Sequence, residues 1–143
     1  MVIARLIGSF LCGAAISGVA AAAIAVYWLK TFDPKFRDAP SIAFEVEMWD
    51  LLLICIVATV VIGIVGFLLK NRLTASPSSL ALCALWGMAY PLLLRLMLHA
   101  LENAVGVEGI AVPVIGWAYL VGFPALAIVT ILAAQSREKQ HAL

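Results

Sequence analysis

The sequence predicts an all-α membrane protein, a four-helix bundle, and three observations lead there. First, 65% of its 143 residues are hydrophobic and only 12% are charged. Soluble domains average about half apolar and about a quarter charged. A soluble fold of this composition would expose apolar patches of a size that monomers rarely carry. Second, the apolar residues gather into four runs. Each is long enough to cross about 30 Å of hydrocarbon, which takes roughly 20 helical residues. Third, the links between the runs are short and polar. The length suits a single membrane domain, residues 1–143.

The first span covers Leu6–Leu29 and contains no charge. This uncharged run is longer than the usual signal-peptide core, so it reads as a retained span. The second covers Leu51–Leu69, between Asp50 and Lys70. The third begins near Leu80 and continues through Arg95 to about Leu101. The fourth covers Ile110–Ala134, again without a charge.

Four crossings put the N-terminus, the Lys70–Ser79 link and the C-terminal tail on one side. That side holds Arg5, Lys70, Arg72, Arg137 and Lys139 against Glu138. The opposite side is acidic, and its Glu102–Gly109 link has no Lys or Arg. Basic residues favour the cytoplasm, so both ends are expected inside, in a bacterial cytoplasmic (inner) membrane. Tyr27, Trp28 and Trp49 fall at span boundaries, where such rings favour the headgroups. Trp86, Tyr90, Trp117 and Tyr119 lie deeper and read as packing residues.

The Lys30–Asp50 link is the one sizeable segment outside the spans. It is too apolar for a plain solvated loop. Ile42 to Met48 alternates like a strand. A lone strand would leave its backbone unpaired. The preferred reading is a helix starting near Pro40 or Ser41, where proline suits a first turn. It runs into the second span, and its outer part is expected to lie against the bundle's outer end as an amphipathic segment.

Small residues recur every four positions in the first span: Ser9, Gly13, Ser17, Ala21 and Ala25. Ala14, Gly18 and Ala22 form a second row. The second span adds Gly63 and Gly66, and the third adds Gly87. Such rows let helix backbones approach closely, within one bundle or between subunits. Pro91 and Pro124 fall inside the third and fourth spans, where proline usually kinks a helix.

Arg95 is the one charged residue inside a predicted span. At mid-bilayer an Arg costs roughly 2.5–3.5 kcal/mol, and less toward the edge. Its position, about 9 Å from the span's end, lets the side chain snorkel outward. His99 and Glu102 follow at i+4 and i+7 on the same helical face. Asp50 is a possible cross-helix partner. The set Arg95, His99, Glu102 and Asp50 reads either as an ion pair pinning helix ends or as an outer-leaflet polar site for an anion or lipid headgroup. A catalytic His99–Glu102 pair has no neighbouring nucleophile or metal ligand to support it.

No metal, nucleotide or haem motif is present, so no cofactor is expected, and the net charge of +1 gives no nucleic-acid footprint. Cys12, Cys55 and Cys83 lack metal or redox spacing and read as buried packing residues. No acid sits centrally in any span, which argues against a proton-driven exporter. The leading functional expectation is a small non-enzymatic membrane subunit or accessory protein. It would act through helix contacts and its outer segment, with a membrane-protein partner or a second copy. The alternative is a small oligomeric transporter, or a lipid- or anion-binding protein, using the outer polar site.

Overall fold

The computed structural model describes residues 2–32, 40–105 and 111–142. They form four helices: α1 (Val2–Phe32), α2 (Pro40–Leu68), α3 (Pro77–Val105) and α4 (Ala111–Ala142). Within them lie apolar stretches of 27, 21, 25 and 29 residues, each long enough to cross a bilayer. Helix is the expected answer to this composition, because a lipid-exposed backbone must satisfy its polar groups internally. Side chains follow the same rule. Thr31, Thr59 and Thr130 each donate a hydroxyl to a carbonyl three or four residues back.

The helices overrun the spans expected from the sequence. α2 starts at Pro40, as the proline suggested, and runs unbroken into the span. The Ile42–Met48 stretch is therefore helical. Its packing against the bundle, and residues 33–39, lie outside what the structure describes. α4 carries the basic C-terminal segment as added helical turns. α3 begins at Ser76–Pro77, where the Ser76 hydroxyl accepts from the Ser79 amide at 3.3 Å.

Contacts fix the relative directions. Leu6 meets Cys83 and Phe10 meets Gly87, so α1 and α3 run parallel. Gly18 meets Leu51 and Ile3 meets Gly66, so α1 and α2 run antiparallel. Tyr90 meets Leu120 and Ser79 meets Gln135, so α3 and α4 run antiparallel. α1 packs on α2 and α3, and α4 packs on the same two helices. Around the bundle the order is thus α1, α2, α4, α3. The link at 69–76 must cross the end of the bundle diagonally.

The α1–α3 seam is the closest approach. A Cβ on Gly13 would collide with the Ala84 carbonyl and lie 2.9 Å from the Met88 amide nitrogen. A Cβ on Gly87 would collide with the Phe10 carbonyl. Lipid tails are as apolar as leucine, so close backbone packing replaces the hydrophobic drive that water supplies elsewhere. Gly13 and Gly87 use their small size here, inside the bundle. Gly63, expected at a helix contact, faces open space. Ser9 and Ser17 are half-buried.

The core lies mainly in the half nearest the termini. Leu6, Phe10, Ile62, Cys83, Ile128 and Ile131 are buried there. Tyr90 closes its inner edge, with ring centroids 5.4 Å from Phe10 and 6.3 Å from Phe123. Its hydroxyl donates to the Leu120 carbonyl at 2.6 Å. This bond has a specific cause. Leu120 is four residues before Pro124, which lacks an N–H, so the helix leaves that carbonyl without its usual donor. Tyr90 supplies one from the neighbouring helix. Both α3 and α4 remain continuous through Pro91 and Pro124.

Large apolar side chains face outward on every helix, among them Ile24, Ile56, Ile64, Leu85, Leu96 and Val129. Tyr27, Trp28 and Trp49 are more than half exposed near span ends. This is an integral membrane protein built as a bundle turned apolar side out.

Candidate functional site

At the end away from the termini, the four helices stand apart around a cavity of about 380 Å³. Every helix contributes. Gly18 and Ala21 come from α1 and Gly116 from α4; a Cβ on Gly18 would collide with the Leu51 side chain, so that glycine lets α2 close on α1 beside the cavity. Ile54, Leu94 and Leu120 form apolar wall. Pro91 lies on the α3 side. Trp117, 54% exposed, stands at the opening.

Two charged residues are among those that line this apolar space: Asp50 of α2 and Arg95 of α3. Both are exposed, so they mark its mouth. They come from helices on opposite corners of the bundle, so the cavity lies between them. Asp50 sits where the α2 span begins, and Arg95 about 9 Å before the α3 span ends. Their joint placement follows from span ends meeting at one level. Arg95 is already engaged by a neighbour.

Of the other two residues of the expected set, His99 is not among the described residues that line this wall. His99 is exposed, with its Nε2 3.3 Å from Asn103 Nδ2. The Glu102 side chain lies outside the described residues. Trp117 differs from its expected packing role, because it faces the cavity mouth. Cys12 likewise is exposed, while Cys83 is buried with its thiol against the Leu6 carbonyl at 3.1 Å.

A second polar group, at the terminal end, was not singled out from the sequence. Gln135 is 6% exposed and donates to the Thr74 carbonyl and to Ser79 Oγ, both at 2.9 Å. Its Oε1 has no hydrogen-bond partner. Ser76 Oγ lies 2.9 Å from Ser79 Oγ, and Ser78 donates to Glu138 at 2.6 Å. These bonds pin the crossing link to α4, and Leu73 of the link inserts into the core. The Ser76–Pro77 cap was a readable signal. Gln135 carried none beyond its place just past an apolar run.

The chain matches no protein-family model, no curated protein and no solved structure.

Proposed function

We propose that this protein is a non-enzymatic binder of an amphiphile, held in the cavity between its four helices. One observation carries the reading: an apolar space bounded by every helix, with a carboxylate and a guanidinium at its mouth. Its volume lies within the roughly 300–1,000 Å³ range of small-molecule sites, which are mostly apolar with a few placed polar groups. An apolar chain fits the walls, and a polar head fits the mouth. Charge placement supports an orientation with both termini in the cytoplasm of a bacterial cell. The cavity then opens toward the outer leaflet of the cytoplasmic membrane.

The test is native mass spectrometry of the protein purified in mild detergent. One lipid per chain is expected to survive extensive delipidation. Ala21→Phe, which fills the cavity from α1, is expected to release it. Equal lipid retention in both proteins would reject the cavity as the site.

A second reading, an accessory membrane subunit, has its own observation. A shallow apolar groove runs between α1 and α3, with Ser17 and Ala20 on one side and Met88 and Leu92 on the other. Its small residues would accept a transmembrane helix. Co-purification of a stoichiometric partner lost on Ala20→Leu supports this reading.

A further inference from the structure

We infer that the cavity is filled sideways, from within the membrane: the acyl chain of a bilayer lipid enters through a slot between α2 and α4, past Leu53 and Trp117. The inference rests on the amphiphile-binding reading and names the part of the ligand that is held and its route. Residues that line a cavity and also face outward mark its rim. Among the described lining residues, the large apolar ones of this kind are Leu53 of α2, 45% exposed, and Trp117 of α4, 54% exposed. α1 supplies buried Gly18 and half-buried Ala21, so it forms the back wall. α4 stands diagonally across from it.

The other seams are better covered. Leu51 of α2 occupies the place of a Cβ on Gly18, which closes α1 against α2. Leu98 of α3 comes within 3.0 Å of a Cβ placed on Gly116, which closes α3 against α4. α1 and α3 share the most extensive contact in the bundle, and Pro91 on that side is buried. α2 and α4 share the least extensive of these four contacts.

Depth decides what can pass. The apolar stretches begin at Met48 in α2 and Val114 in α4. Leu53 and Trp117 therefore lie about 7.5 Å and about 4.5 Å inside them along the helix axes. The slot faces hydrocarbon rather than water. At the inner end, Gly18 lies about 15 Å from Trp28, and Pro91 about 15 Å from Leu101, where their stretches end. That is half of a hydrocarbon core roughly 30 Å thick. The cavity is one leaflet deep, the reach of a chain whose headgroup stays at the surface. Entry from water would expose every methylene on the way, and the sideways route keeps the chain in apolar surroundings throughout.

The experiment follows a photoreactive chain into the cavity. Delipidated protein carrying Leu53→Cys and Trp117→Cys, with Cys12→Ser and Cys55→Ala, is bridged in detergent by a bifunctional methanethiosulfonate. It is then transferred to bilayers of phosphatidylglycerol with a diazirine in one acyl chain and photolysed at intervals. Adducts at Leu94 and Leu120, 5% and 7% exposed, report a chain inside. Adducts at Ile56 and Val129, both more than half exposed, report lipid outside. Labelling inside is expected to be about tenfold slower with the bridge than after reductant cleaves it, a barrier higher by about 1.4 kcal/mol. Leu53→Trp, in the chain with its native cysteines, narrows the slot without a bridge and is expected to slow the same labelling. It decides the matter if the double variant does not fold.

Equal rates with and without the bridge, or with and without Leu53→Trp, overturn this inference and leave the amphiphile reading standing. Adducts at Ile56 and Val129 with none at Leu94 or Leu120 overturn both.

Discussion

The two ends of the bundle are built on different principles. Near the termini the helices close on one another. α1 and α3 meet backbone to backbone at Gly13 and Gly87, the core is filled, and a diagonal link is pinned by Gln135. At the far end the same helices separate around a cavity whose charged residues come from helices that hardly touch. One end holds the fold together, and the other encloses a cavity. Packing that is tight at one end fixes the helices' directions, so the open end keeps its shape without a filled core.

The sharpest way to break this contrast is at the seam. Gly87→Ala adds one methyl against the Phe10 carbonyl, and a backbone cannot rotate away as a side chain can. A loss of about 3 kcal/mol is expected, at the upper end for overpacking. The measurement is reversible unfolding in mixed micelles. Gly63→Ala is the control, because nothing lies within 4 Å of its added Cβ. It is expected to be neutral or to stabilise by up to about 1 kcal/mol, since alanine restricts the unfolded chain. Equal effects at both glycines would show that the seam is not the clamp.

Next in size is the Tyr90–Leu120 bond at the boundary between the two ends. Tyr90→Phe leaves a carbonyl without a donor and is expected to cost about 2 kcal/mol. In a Pro124→Ala background the helix regains its own N–H, so the same change is expected to cost less than half as much. A double-mutant cycle measures this directly. Additive losses would reject the account of Tyr90 as the substitute donor.

Smaller still is the latch. Gln135→Leu removes two hydrogen bonds and also an unpartnered buried oxygen, so the effects partly offset. A net loss of about 1 kcal/mol is expected, with faster proteolysis within 69–76. The least effect on folding is expected at the cavity mouth. Asp50→Asn should change stability by less than about 0.5 kcal/mol, as exposed positions usually do. A large loss there would mean that the open end also holds the bundle.

Much of the fold was legible because hydrocarbon is a demanding solvent. Four uncharged or nearly uncharged runs had to become helices, since no other lone segment satisfies its own backbone. Pro40 marked the start of α2, and the Ser9–Gly13–Ser17 row marked α1 as a helix of close contacts. The placement of Asp50 and Arg95 at one level was also readable, because both sit near span ends on the same side. Membership in a shared cavity was not. It depends on helix order, and the spacing of apolar residues carries no information on which neighbour a helix meets.

The sequence by itself determined a membrane protein of four helices, a row suited to close backbone approach, and an arginine set in an apolar span. These are local matters of charge, length and backbone bonding. The tertiary structure alone decided which helices stand side by side. It decided that Gly13 and Gly87 meet within one chain, and that Tyr90 repairs the gap left by Pro124. It also separated His99 from the wall that holds Asp50 and Arg95. The physical reason is that every face of these helices is apolar enough for lipid or protein. Shape complementarity, decided only when all four helices are packed together, selects between them.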